Sequence, residues 1–443
     1  PNAVPSAPDF SPLAPVAAAF GESGAGAGSG SGSGAERVPA SAAEIPAHLL
    51  PPIPHSYGPL ELPPRMLPRV KFWVRIYAYI FSWEYAVHDT HFPQLTYSIF
   101  DTKGKPRGAL AAEKARVLAV LVSLKKKAPL LLDGRLTVAK LSAEEARIYK
   151  LFEGEGLLSE IGGAAYEKRI RGQAGMRDAL EDAIFVSGRY LPRMEKVFER
   201  FGLPVEIAYL PFVESGFNKR AVSKVGASGI WQFMPYTGKL YLRVDDVVDE
   251  RNDPMRAAEA AARLMSQNHA MLEEWPLAIT AYNHGPMGIA RGVKEVGSRE
   301  LPDLIERYEG KSFGFASQNF YACLLAAMHV AKNSGIYLGE IPRARKLEFD
   351  EFVMPHFMEL SVFLAKTGID EASFRELNMA LTKEVYEGRK YMPVGYTVRV
   401  PTEYREEFLS RYEAIPSAEK HTAQKGGAMF GPPAPGDVDP DLE

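Results

Sequence analysis

The sequence predicts a mainly α protein. An α+β central domain follows an α-rich accessory region and precedes a small β-α-α-β module. Three observations carry this reading. Apolar residues recur at helical spacing through most of the interior of the chain. Both ends are rich in Pro, Ala and Gly and cannot bury a core. The single cysteine, Cys323, sits in an apolar run, which excludes a disulfide scaffold.

Residues 1–68 read as a disordered Pro/Ala/Gly/Ser tether, or equally as a plain flexible leader, with its most biased run at Gly26–Ala35. Residues 69–191 form the helical accessory region. The aromatic stretch Val70–Trp83 is compatible with helix or strand. His88, Asp89 and His91 fit no standard ligand spacing and read as a turn with hydrogen-bonding side chains. Leu95, Tyr97 and Ile99 alternate with polar residues, which predicts a strand over 94–100. Helices are expected over 111–126 and 142–152. Lys125, Lys126 and Lys127 read as a solvated helix face or as contacts to an anionic polymer. Arg169–Arg177 leads into a bracing helix.

Residues 192–340 carry the chemistry. Pro204 suits a first helical turn. Val205, Ala208, Tyr209, Phe212 and Val213 then recur at helical spacing. Pro211 bends that helix and Gly216 stops it. Glu214 therefore falls in its last turn, behind an apolar run and near the negative end of the dipole. Both placements raise a carboxyl pKa, as a general acid at neutral pH requires. Gly229-Ile-Trp-Gln-Phe-Met-Pro235 follows, and later Ala281-Tyr-Asn-His-Gly285. Between them Pro254–Met265 is an amphipathic helix with Asp253 as N-cap, and Trp275–Tyr282 is a second apolar segment. Trp231 and Phe233 suit either core or groove.

The last ordered region is expected over 345–402. Met358–Ile369 reads as a helix ending at Gly368, Phe374–Asn378 follows, and Met392–Pro401 closes as a strand. Residues 415–443 read as a disordered tail.

Composition narrows the function. A net charge of −3 argues against nucleic acid as the main partner. No run of 18 apolar residues predicts a membrane span. The chain starts at Pro1, so membrane anchoring is expected only through a segment ahead of it.

Glu214-Ser215, Gly229-Ile-Trp-Gln232 and Ala281-Tyr-Asn-His-Gly285 resemble the three signature motifs of lytic transglycosylases with a goose-type-lysozyme-like catalytic domain. The spacer residues Phe217-Asn218, Ala221–Lys224, Gly226-Ala227 and Asp249–Pro254 resemble the membrane-bound lytic murein transglycosylase D type. So does Arg169–Arg177, which leaves a substrate role open for that stretch. The resemblance implies a lysozyme-like fold over 192–340. It also implies non-hydrolytic cleavage of the MurNAc–GlcNAc β-1,4 bond of peptidoglycan, with Glu214 as acid and then base.

Substrate contacts are implied at Ser215, Ser223, Gln232, Met234, Tyr282, Asn283 and Tyr321. No cofactor and no metal are expected. The partner is the peptidoglycan glycan strand and the location is the periplasm or cell envelope; oligomeric state is not legible. Relatives carry a tyrosine near the acid on a later helix. That position falls on Phe320 here, with Tyr321 one residue on, so either the register shifts or the hydroxyl is absent. Leu377-Asn378 and the strand Gly395–Pro401 resemble a degenerate LysM module, either a glycan binder or a brace. Two rival functions remain. One is a muramidase drawing its base from Asp245, Asp246 or Asp249. The other is a non-catalytic wall-binding scaffold.

Overall fold

A computed structural model describes residues 50–426; most of the expected tether and tail lie outside the described residues. Among the described residues the fold is helix-rich with three small sheets. It divides into two compact units, 50–234 with 258–345 and 235–257 with 346–426.

The first unit begins earlier than composition suggests. Ser56–Tyr57 (β1) and Leu60–Glu61 (β2) form a short antiparallel hairpin. Tyr57, Leu60, Leu62 and Met66 are all buried. The end of the expected tether is thus corrected: these apolar side chains anchor a segment that its prolines made look unstructured. The aromatic stretch resolves as a helix, α1 (Leu67–Ala78), with Pro in its first turn. Val70, Phe72, Trp73, Val74, Ile76 and Tyr77 are buried around most of its circumference, as in a helix interior to a domain.

Glu84–Asp89 (β3) is the central strand of an antiparallel sheet, between Thr96–Asp101 (β4) and Ile170–Ala174 (β5). A register shift between Val87 and His88 turns the end of β3 inward. Asp89 is fully buried there and receives Nε and Nη2 of Arg169 at 2.8–3.0 Å. It also accepts the N–H groups of His91 and Phe92. His88 is buried and its pKa falls to about 3, chiefly through burial. Among the described residues no three His, Cys, Asp or Glu side chains group as a metal site.

The helices α2 (Ala109–Leu132) and α3 (Ala143–Gly154) pack over this sheet around Val117, Leu121, Ile148 and Phe152. Ser142 and Glu145 form a complete capping box on α3. Lys127 pairs with Glu145 at 2.6 Å, and Lys125 reaches the Tyr166 hydroxyl. Two of the three lysines are therefore engaged within the protein. Behind β5, Gly175 is obligatory: a Cβ there would lie 2.2 Å from the Ile80 carbonyl oxygen. The chain then enters α4 (Arg177–Ser187) and α5 (Leu191–Arg200).

The rest of the first unit is nearly all helical: α6 (Leu210–Glu214), most of α7 (Pro254–Leu272), α8 (Trp275–His284), α9 (Pro286–Val296), α10 (Leu301–Arg307) and α11 (Phe315–Lys332). The middle of α11 is buried on every side, from Asn319 to Ala331. It is the axis of the unit, and α1, α6 and α8 pack against it. Among the described residues no helix is long and apolar enough to cross a membrane.

In the second unit Phe349–Val353 (β6) pairs antiparallel with Thr397–Pro401 (β7). Between them run α12 (Leu360–Thr367), α13 (Glu371–Leu377) and a short turn of helix at Lys383–Tyr386. Asn378 is 1% exposed and clamps β7, donating to the Arg399 carbonyl at 2.8 Å and accepting its N–H at 2.9 Å. The buried Arg399 guanidinium meets Asp253 at 2.5 Å. This unit runs past the expected boundary at 402. It continues through α14 (Arg405–Glu413), whose Phe408 and Tyr412 are buried, and through the His421 bridge to Phe357.

Candidate active site

Glu214 closes α6, which is entered through a 3-10 turn over Val205–Tyr209. Pro211 occupies the first turn, where its missing N–H costs nothing. The apolar run therefore splits into two short pieces, where its spacing predicts one bent helix. The chain then reverses sharply. The N–H groups of Ser215 and Phe217 both return to the Pro211 carbonyl, at 3.2 and 3.1 Å. Gly216 and Phe217 hold φ of +60° and +56°. For phenylalanine that backbone costs about 1–3 kcal/mol. Packing offsets it: the ring is buried 4.7 Å from Phe212.

This reversal leaves the Glu214 side chain inside the protein. The residue is 1% exposed and its Oε2 has no hydrogen-bond partner. Burial alone pushes the carboxyl well above the usual carboxylate range. The five-residue helix contributes little dipole; desolvation is what raises the pKa of this acid.

Two segments close around it. Ser215 Oγ donates to the Ile230 carbonyl at 2.9 Å, joining the Glu214 turn to the loop 229–235. Tyr282 Oη donates to the Trp231 carbonyl at 2.9 Å, joining the end of α8 to the same loop. The Tyr282 phenol is pushed well up by burial and then by the charge of Glu214, so the two side chains are electrostatic neighbours. Gln232 holds φ +50° and donates Nε2 to the carbonyls of Gly229 and Ala221. The side-chain amide group is thus spent on main-chain carbonyls. Trp231 and Phe233, open between core and groove from sequence, are both core. Met234 is half-buried at the loop's end.

Ser223 lies further out and closes a tight turn, its Oγ accepting the Ala227 N–H at 2.9 Å. Asn283 is 6% exposed; its Oδ1 accepts Ser317 Oγ at 2.8 Å while Nδ2 has no partner. His284 faces Tyr308 and Phe313, and burial lowers its pKa. Tyr321 points elsewhere. Its hydroxyl donates to the Glu61 carbonyl of β2, and Phe320 is the residue stacked on Tyr282, with ring centroids 6.5 Å apart. The hydroxyl thus turns away from the Glu214 side of α11, because consecutive helical residues diverge by about 100°. In the second unit Asp245 is taken up by Arg243 and two backbone N–H groups, and Asp249 by Arg251.

Two residues that sequence reasoning missed belong here. Ser317 orients Asn283, and its signal was a lone hydroxyl in the first turn of an apolar helix. Tyr77 of α1 also feels the Glu214 charge, but its spacing read as ordinary core.

Residues 199–304 match the family model of the Transglycosylase SLT domain, an interval that contains Glu214, Gln232, Tyr282 and Asn283. That stretch of the chain is similar to an SLT domain. Over 172 residues it is 29% identical to membrane-bound lytic murein transglycosylase D of Escherichia coli K12, covering 37% of this chain and 36% of that protein. The counterpart from E. coli O6:H1 matches equally. The chain thus spans about a third of the length of these curated relatives. Among solved structures, the lytic transglycosylase Slt of Pseudomonas aeruginosa aligns at 18% identity with a TM-score of 0.27, covering 49% of this chain and 37% of that one.

Proposed function

We propose that this protein is a peptidoglycan lytic transglycosylase with Glu214 as its acid and base. The observation that carries the reading is a fully buried carboxyl, its pKa raised by desolvation, lodged among residues of the SLT-matching stretch. Two-carboxylate glycosidases need a second ionised group beside the first. Tyr77 and Tyr282 feel the Glu214 charge, and neither is a carboxylate.

Glu214 gives its proton to the glycosidic oxygen between MurNAc and GlcNAc as the C1–O bond breaks. The N-acetyl carbonyl of the muramoyl sugar supports the electron-poor C1. The C6 hydroxyl of the same sugar then bonds to C1 and returns its proton to Glu214. The products are a 1,6-anhydro-MurNAc end and a free GlcNAc hydroxyl. No water is consumed, because the positioned hydroxyl stands in for it. Ser215, Gln232, Met234, Tyr282 and Asn283 line or brace the sugar site, with Ser223 at its edge.

The glycan strand is the partner, with no nucleic acid, cofactor or metal required, and the substrate assigns the protein to the periplasm or cell envelope. In the second unit the β6–helices–β7 arrangement and its Asn378 clamp suit a LysM-like glycan module. The test is mass spectrometry of products from purified sacculi. Wild type is expected to release anhydro-muropeptides and Glu214→Gln none. Reducing-end muropeptides from wild type would instead make it a muramidase.

A further inference from the structure

Glu214 alternates between acid and carboxylate, and a buried carboxylate needs a donor. Three tyrosines and one amide are the donors at issue. Tyr282 has committed its hydroxyl to Trp231, and Tyr321 has committed its own to Glu61. The Asn283 amide nitrogen and the Tyr77 hydroxyl are without partners. Asn283 already belongs to the recognised motif. Tyr77 comes from the accessory region, outside the SLT match.

The packing of α1 on α11 explains why it is there. Trp73 donates its indole N–H to Asn319 Oδ1 at 2.9 Å, and Arg69 donates to the same oxygen at 3.0 Å. Tyr77 lies one turn beyond Trp73 on the same face of α1, with rings 6.1 Å apart. Cys323 lies one turn beyond Asn319 on α11. Tyr77 accordingly sits at the level of Cys323, with α6 packed against the same helix. The titratable groups around the site are Tyr77 and Tyr282, which both feel Glu214, and Cys323, which faces Tyr77 and feels Arg69. All are buried. A phenol hydroxyl with no partner and a carboxyl oxygen with no partner are thus both buried on helices that pack against α11, and the phenol feels the Glu214 charge.

We propose that Tyr77 is a positioning residue for Glu214, donating its hydroxyl to the ionised carboxylate formed between the two proton transfers. The donor is idle while Glu214 is protonated, and catalytic hydrogen bonds often tighten only in the working complex. The accessory helix is therefore part of the active site, and residues 192–340 alone lack this donor. The proposal rests on the transglycosylase reading for its catalytic consequence, though not for the hydrogen bond itself.

The test uses the full chain as wild type and Tyr77→Phe, with glutamate labelled at 13Cδ and the Glu214 signal assigned through Glu214→Gln. Loss of the donor is expected to raise the Glu214 pKa, and an unchanged titration overturns the proposal. In turnover, kcat is expected to fall about ten- to a hundredfold, the range of a hydrogen bond to a charged group. KM stays within about twofold by the same reasoning, since the bond forms only after binding. The alkaline limb of the pH profile moves up. Tyr97→Phe removes another buried phenol, bonded to Asp89, and is expected to leave that limb in place. A limb shifted equally by both variants reduces Tyr77 to a structural residue. If Tyr77→Phe does not fold, 3,5-difluorotyrosine at position 77 is the second probe. As a stronger donor it should lower the limb, and no movement overturns the proposal. Absence of turnover in wild type would defeat the transglycosylase reading while the titration still decides the hydrogen bond.

Discussion

The Tyr282 hydroxyl is bound to the main-chain carbonyl of Trp231, 51 positions earlier in the chain. One hydrogen bond thereby fixes the end of α8 to the loop 229–235. Tyr282→Phe leaves that buried carbonyl without its donor, which costs about 1–3 kcal/mol. Urea unfolding should register this loss, and cleavage should weaken with it as the loop loosens. A variant as stable as wild type would mean that the carbonyl finds another partner.

Glu214 should make stability depend on pH in the direction opposite to most carboxylates. Its folded-state pKa is raised above the unfolded value, so the native state holds the proton longer. Its contribution is fully present below the unfolded pKa of about 4.3 and is lost as pH rises toward the folded pKa. Glu214→Gln removes this liability. The variant is expected to be more stable than wild type at pH 8, by about 1.4 kcal/mol for each unit of the displacement that lies below that pH. The advantage should vanish near pH 4. Unfolding curves at both pH values measure it; a constant difference would contradict the burial argument.

Asp89 gathers Arg169, two backbone N–H groups and the Tyr97 hydroxyl at the end of β3. Removing one side of such a pair strands a buried charge. Asp89→Asn is expected to cost about 3–5 kcal/mol. Arg169→Met should have a comparable cost, and the double variant should cost less than the sum. A double-mutant cycle by thermal unfolding checks the coupling.

Asn378→Ala removes both contacts to the Arg399 backbone and a third to the Phe374 carbonyl. At about 1 kcal/mol each, a loss of roughly 3 kcal/mol is expected, confined to the second unit. Hydrogen exchange should speed up in β6 and β7 while α11 stays protected. Faster exchange in both would show that the two units open together.

The burial of Glu214 was legible because it ends an apolar run just before a glycine, although that pattern alone also suits the end of a surface helix. The Gly-Ile-Trp-Gln loop and the Ala-Tyr-Asn end of α8 were legible through their resemblance to signature motifs, in which small, aromatic and amide residues stand together. Three features were not. Pro211 was read as a kink, because spacing alone cannot say whether a proline lies inside one helix or begins another. Tyr321 was a question of phase, and one residue of slip on α11 carries a hydroxyl from one neighbour to another. Tyr77 was invisible because a buried tyrosine and a buried phenylalanine obey the same periodicity; only the unpaired oxygen distinguishes them.

The hairpin at the start of the first unit has a mechanical consequence. Tyr57 bonds to His329, which bonds in turn to Tyr337, and Glu61 receives Tyr321. Two rivets thus hold residues 56–61 to the axial helix of the unit. Tension applied to the chain ahead of Ser56 meets these rivets first, and α11 spreads the load through the interior. Glu214 ends α6, which packs on α11, so a tug on the N-terminal side should reach its turn through that helix, after the hairpin has taken the first strain.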